Sequence, residues 1–306
     1  MTERAKIVAA WSALGFIWGS TYLALRVGVL TFPPFLMAGV RFLIAGVALL
    51  FIARARGAQF PRGRSAYAAL CLTALLLMVG GNGGTTWASQ KAPSSLVGLL
   101  GSTSPLMIGF LSLFLPGSER LKPVGWAGLA LGLVGLGVLL RPSGGAPIGP
   151  AALGCGIAVV CWSAGSLLSR HRAPKCDAMA SNAIQMLIGA VVLCAMGLIT
   201  EHGLKQPLNW PALAAVAYLT VVGSCVGFTL FFWLLARVPA AKVATYAYVN
   251  PVVAVILGWA VLHERITGAT LLGAAVTLAG VILTNAGRAA APALISAPIP
   301  EPAAPE

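Results

Sequence analysis

Ten apolar stretches follow one another along this 306-residue chain with only short connections between them. Each is about long enough to cross a bilayer core as a helix, which takes about 20 residues. They run over roughly 8–26, 35–53, 66–88, 94–116, 124–140, 149–169, 178–199, 211–235, 240–261 and 268–286. In hydrocarbon every backbone N–H and C=O must be satisfied within the protein, so such stretches fold as helices. Charged residues make up 9% of the chain, against about 25% in soluble domains. The expected fold is therefore an all-α polytopic membrane protein of ten transmembrane helices, with nothing left over for a soluble domain. The first stretch follows a basic start but is too long for a signal-peptide core and precedes no A-x-A-like site, so it reads as a retained span. The Ala/Pro-rich segment 289–306 reads as a disordered tail.

The positive residues set the orientation. With the N-terminus in the cytoplasm, 14 lysines and arginines fall on the inner side, among them Arg54, Arg56, Arg62, Arg64, Arg170, Arg172 and Lys175. Five fall outside, one per loop: Arg26, Lys91, Arg141, Lys205 and Arg265. This imbalance predicts a multi-pass protein of a cell membrane, the inner membrane of a bacterium, with both termini cytoplasmic. The net charge of +13 is scattered singly between apolar runs with no basic stripe, so nucleic acid is not an expected partner.

The ten stretches also look like two copies of one unit. "IWGSTYLALR" (17–26) aligns with "CWSAGSLLSR" (161–170), 144 positions on, matching Trp18 with Trp162 and Arg26 with Arg170. At the same offset "VRFLIAGVAL" (40–49) aligns with "IQMLIGAVVL" (184–193). Pro93 and Pro105 share their spacing with Pro239 and Pro251, and Glu119-Arg120 pairs with Glu264-Arg265. Several matches in order, with drift of one or two residues, indicate a duplication. The predicted units are 1–144 and 145–288. Five spans is an odd number, so the second copy is inverted relative to the first. Inverted repeats are a device for alternating access, with the substrate site at their interface near the midplane.

This pattern resembles the EamA-type transporters of the drug/metabolite transporter superfamily. The resemblance rests on two five-helix repeats, Trp-Gly-Ser early in the first helix, Arg-Phe in the second, Pro105 and Pro251, and the two "ER" pairs. It covers about residues 8 to 288. It implies a secondary transporter, an exporter of small metabolites such as amino acids or other carboxylate-bearing compounds. The alternatives left open are a channel or facilitator for small solutes, and a multidrug exporter. Small multidrug exporters of that superfamily use a glutamate within a membrane helix, and this chain departs from them there: none of its seven acids lies inside a predicted span.

What the interior does contain is Arg41, in "MAGVRFLIAGV". A guanidinium keeps its proton, and its burial in hydrocarbon is costly. Arg41 lies about 9 Å deep at 1.5 Å per residue. It could snorkel, pair with helix carbonyl ends, or face a wet cavity and hold a carboxylate with its bidentate fork. Its repeat partner is Gln185. Trp18 and Tyr22 share a helix face, Trp162 is the partner of Trp18, and Asn82 lies in the flexible "GGNGG". Asn250 precedes Pro251, which frees the carbonyl of residue 247, so Thr245, Tyr246 and Asn250 either line the cavity or re-satisfy that backbone. Ser102 and Ser104 near Pro105 form the corresponding set. The expected substrate-binding residues are thus Arg41, Trp18, Tyr22, Asn82, Trp162, Gln185, Tyr246 and Asn250.

Other chemistry is sparse. Five of the six cysteines fall in predicted spans and read as small buried apolar residues; the three histidines fall in predicted loops. Neither group has metal-ligand spacing, and no cofactor is expected. There is no H-E-x-x-H, G-x-S-x-G elbow or phosphate loop, so the chain does not read as an enzyme. Glu119 and Glu264 are expected to cap and to pair with Arg120 and Arg265 at the interface. The glycines of "GWAGLALGLVGLGV" permit close helix packing as scaffold or as a dimer contact, so the expected state is a monomer or weak homodimer. The expected partners are a small-molecule substrate and the lipid bilayer.

Overall fold

The structure, a computed structural model, describes residues 2–114, 122–139, 149–172 and 174–287, and among these it is all-helical. Glu119, Arg120, Arg141, Arg288 and segment 289–306 lie outside the described residues. Eight helices are long and apolar enough to cross a membrane. They are α1 (Glu3–Thr31), α2 (Pro34–Ala55), α3 (Arg64–Ser89), α4 (Ser94–Ser112), α6 (Gly149–His171), α7 (Ala178–Thr200), α8 (Trp210–Arg237) and α9 (Ala244–Leu262). Two further apolar helices, α5 (Pro123–Leu139) and α10 (Gly268–Ala286), are shorter in their apolar part.

Local chemistry explains where the helices begin. Thr2 caps α1 by accepting from Ala5 N, Asp177 caps α7 from Met179 N at 2.7 Å, and Asn209 caps α8 from Ala212 N. Pro34 opens α2, where its missing N–H costs nothing. One expectation is corrected here: α1 runs well past 8–26 at both ends, so Arg26 lies in a helix and not in a loop. Arginine is a good helix former, and its Nη1 finds a partner in the carbonyl of Ser89 in α3 at 2.8 Å. His171 likewise closes α6. α9 begins as a 3-10 segment, Ala244–Tyr248, just where Pro251 removes a donor from the ladder.

The helices pack through small residues. A Cβ on Gly128 of α5 would stand 2.3 Å from Thr284 N of α10, and one on Gly280 would stand 2.3 Å from Gly132 N. Backbone touches backbone there, which only glycine permits. α2 packs on α7 in the same manner, with Gly39 against Cys194 and Ala190. Large apolar side chains cover the outside, including Phe16, Phe51, Leu198 and Ile199, a surface suited to lipid and not to water. The cysteine expectation is met only by Cys155. Cys71 is exposed on that outer surface, and the others are half-buried.

Two helices share an irregularity. α3 is π-helical over Leu75–Gly83 and α8 over Leu219–Phe228. An i→i+5 turn is rare, widens the helix locally and tends to occur at functional sites. Both segments border the same central cavity.

Candidate functional site

A cavity of about 80 Å³ lies in the middle of the helix bundle, lined from α1, α2, α3, α4, α6, α8 and α9. Seven of the eight residues expected at the site line it: Trp18, Tyr22, Arg41, Asn82, Trp162, Tyr246 and Asn250. Gln185 does not. It lies in a separate chamber beside Ser181, because α7 turns that face away from the central space.

Arg41 is 3% exposed, so its guanidinium does not snorkel. It is tied to its surroundings by neutral contacts. Nη2 donates to Asn82 Oδ1 at 2.7 Å, and Cζ lies 4.5 Å from the centroid of the Phe42 ring. Nε is buried without a partner. Among the described residues no carboxylate lies within ion-pair distance of Arg41; the ion pairs there join Glu3 to Lys6 and to Arg237. The charge is therefore fixed, buried and uncompensated, an arrangement that is expensive unless something negative answers it.

Asn82 is held by the π-helical turn. Its Nδ2 donates to Leu77 O at 3.1 Å, which leaves Oδ1 pointed at Arg41. Where the glycines of "GGNGG" suggest flexibility, the structure has a π segment with the asparagine as its internal brace. The wider i→i+5 turn is what brings the Asn82 amide within reach of a carbonyl five residues back.

The opposite wall is aromatic. Trp18 has its ring centroid 5.2 Å from Trp162, 5.0 Å from Tyr246, 5.2 Å from Phe228 and 5.1 Å from Phe231. Most of these contacts are edge-to-face, the favoured geometry for aromatic pairs. Trp18 is fixed by a bond from Nε1 to the carbonyl of Gly223 at 3.2 Å, inside the π segment of α8. Phe228 and Phe231 gave no sequence signal, since in "GFTLFFW" they read as ordinary membrane apolar residues.

The remaining polar residues divide. Asn250 lies beside Tyr22 at the cavity wall, with Oδ1 unpartnered. Ser104 lines the cavity, whereas Ser102 lies buried and donates to Leu99 O within its own helix. Thr245 is also turned away: its hydroxyl donates to Lys242 O and accepts from Trp11 Nε1. Among the described residues, the cavity between these walls offers one fixed cation, a few neutral polar groups, rings, and no acid.

Two acids hold the frame, Glu264 and Glu201. Glu264 caps α4, accepting from the backbone N of Ser94 and Ser95 at 2.7 and 3.0 Å and from both hydroxyls at 2.9 and 2.6 Å. The capping is as expected; the pairing is not, since among the described residues Glu264 makes no ion pair with Arg265. Glu201 likewise caps α2, accepting from Phe35 N and Leu36 N at 2.8 and 3.0 Å. A carboxylate at a helix N-terminus meets both free N–H groups and the positive end of the dipole.

Comparison with known proteins places the chain in a transporter family. The model of the EamA-like transporter family matches the chain twice, over residues 6–141 and 150–286. The protein described as uncharacterized inner membrane transporter YedA, from Escherichia coli strain K12, is 35% identical over 290 residues, spanning 94% of this chain and 93% of that protein. Uncharacterized transporter YoaV of Bacillus subtilis strain 168 is 26% identical, spanning 92% and 97%. A solved structure titled "Crystal structure of protein" shares the fold with a TM-score of 0.68 and 24% identity, over 92% of this chain and 98% of that one.

Proposed function

We propose a function from one premise: this chain belongs to the EamA-like transporter family. It is a multi-pass membrane transporter rather than an enzyme. On our reading it exports small carboxylate-bearing metabolites, amino acids among them, across the inner membrane by alternating access, with Arg41 holding the carboxylate. The observation that carries this is the state of Arg41: buried at 3% exposure, lining the central cavity, bonded to the neutral Asn82 and facing no acid among the described residues. A bidentate carboxylate would supply the missing charge and use the unfilled donors. Export is the direction that the family resemblance implies. A cation exporter would need an anionic cavity, and among the described residues no Asp or Glu lines this one.

Alternating access is supported by the symmetry of the contacts. Helix pairs that touch recur at equivalent places in the two halves: α1 on α8 as α6 on α3, and α1 on α9 as α6 on α4. The equivalent helices α2 and α7 pack on each other, as do α5 and α10. The π segments begin at Leu75 and Leu219, 144 residues apart, the offset at which the sequence repeats. Both halves thus bring the same irregular turn to the site, which suits ten spans in two inverted units, 1–144 and 145–288, with both termini cytoplasmic. The cavity of about 80 Å³ is small beside the roughly 300–1,000 Å³ of ligand pockets. A substrate larger than a few atoms enters only if the aromatic wall moves, which is carrier behaviour and not that of an open pore.

The test is uptake into proteoliposomes of amino acids, organic acids and cationic dyes, with and without imposed pH and voltage gradients. Saturable carboxylate flux with exchange of internal for external substrate supports the proposal. Transport of dyes but not carboxylates, or flux that never saturates, refutes it.

A further inference from the structure

One face of α6 serves two chambers. Cys155, Ala158, Val159 and Trp162 line the central cavity, while Ser169, and Arg172 just beyond the helix end, line a second chamber of about 260 Å³. Trp162 and Ser169 are about 10 Å apart along the helix. Between the chambers stands the ring cluster. Trp18 and Trp162 face the central side, Phe232 lines the second chamber, and Phe231 joins them, 5.1 Å from Trp18 and 5.4 Å from Phe232.

The second chamber is basic and incompletely satisfied. Gln185 is 1% exposed. Its Nε2 donates to Ser181 Oγ at 3.1 Å and to Ser181 O at 3.4 Å. The NH₂ end faces the Ser181 carbonyl, which only a donor can serve, and Oε1, the other end, is buried with no partner. The Ser169 hydroxyl is buried and unpartnered as well. Arg170 lines the chamber and gives one N–H to Leu235 O; Arg172, also lining it, has no ion-pair partner among the described residues. The nearby acid, Asp177, is engaged as the cap of α7. An adjoining cleft of about 920 Å³ shares Arg172 and adds Arg62 and Lys175. A site that holds both guanidinium donors and free buried acceptors has the groups that a zwitterion needs.

We propose that this chamber is a second, staging site for α-amino acids, with Arg170 and Arg172 taking the carboxylate and Gln185 Oε1 with the Ser169 hydroxyl taking the ammonium. It rests on the carboxylate reading of the transporter. The ligand passes between this site and Arg41 when the ring cluster parts.

Cys176 lines the same chamber and supplies a native reporter. Burial, with Asp177 beside it, pushes the thiol above its ordinary range, so labelling is run at alkaline pH. The protein retaining only Cys176 is placed in phosphatidylcholine nanodiscs and its reaction with neutral N-ethylmaleimide is timed. Glycine at millimolar concentration should slow labelling at least fivefold and saturably. Acetate should protect less, and methylammonium not at all. Arg172→Gln should abolish protection. Gln185→Leu should remove the advantage of glycine over acetate, and Gln185→Glu, which keeps the shape should the leucine variant misfold, should enlarge it. Arg41→Gln should leave glycine protection unchanged, so loss of transport in that variant tests the central site separately. The proposal is overturned if glycine gives no protection while Arg41-dependent transport persists. It is also overturned if phosphatidylglycerol nanodiscs alone slow labelling fully and glycine adds nothing in phosphatidylcholine, which would make the chamber a lipid headgroup site.

Discussion

Replacing Glu264 by glutamine should loosen the start of α4 by a predictable amount. The carboxylate accepts four hydrogen bonds, two through each oxygen, from Ser94 and Ser95. A glutamine keeps one acceptor for Ser94. Its NH₂ group then confronts Ser95 N–H, donor against donor, although the Ser95 hydroxyl can rotate to accept. The unsatisfied N–H costs about 1–3 kcal/mol. Loss of the charge at the helix N-terminus adds about 0.3–1 kcal/mol. Glu264 is only half-buried and water softens both effects, so about 2 kcal/mol is expected. Reversible unfolding of the purified protein in mixed micelles, titrated with SDS, measures it. A double-mutant cycle with Ser95→Ala should show coupling of about 1 kcal/mol or more, since the two residues share the bonds. Strict additivity, or a Glu264→Gln cost below about 0.5 kcal/mol, would refute the clamp.

Other consequences are equally direct. Gly280→Val puts side-chain atoms into the backbone of α5 and should cost more than about 3 kcal/mol in the same assay. Trp18→Phe keeps the ring cluster but drops the bond to Gly223 O, for about 1 kcal/mol, whereas Trp18→Ala should cost about 3–5 kcal/mol. Asn82→Asp places a carboxylate on Arg41, so the protein should fold normally while carboxylate transport falls at least tenfold; unchanged transport would contradict the role given to the free charge. Single cysteines near residues 60 and 205 should label from opposite sides of the membrane, with 205 outside, and labelling of both from one side would sink the topology.

Much of the central site was readable because its residues are anomalous in a bilayer. Arg41 and Asn82 are costly there, and Trp18, Tyr22 and Trp162 stand at helical and repeat spacing. Gln185 was paired with Arg41 by symmetry alone. That inference assumes that both halves take the same position about the site, and the structure puts the two residues in different chambers. The π segments were not legible, since a residue's preference for an α- or a π-turn is nearly the same; only their glycines hinted at irregularity. The clamps by Glu201 and Glu264 join residues more than 160 positions apart and depend on which helix ends meet. The length of α1 was missed for a similar reason: Arg26 looked like a boundary until its partner on α3 was known.

The most direct test of Arg41 is substrate affinity in liposomes for the unaltered protein, Arg41→Lys and Arg41→Gln, after folding is confirmed for each. Lysine keeps the charge but loses the planar fork, and glutamine loses both. Each charge-assisted hydrogen bond lost should cost roughly 1.5–3 kcal/mol, about ten- to a hundredfold in affinity. Affinity for carboxylates should therefore fall in both variants, further with glutamine, while substrates lacking a carboxylate are unaffected. A folded Arg41→Gln protein that binds and transports carboxylates with unchanged affinity would contradict the proposed role.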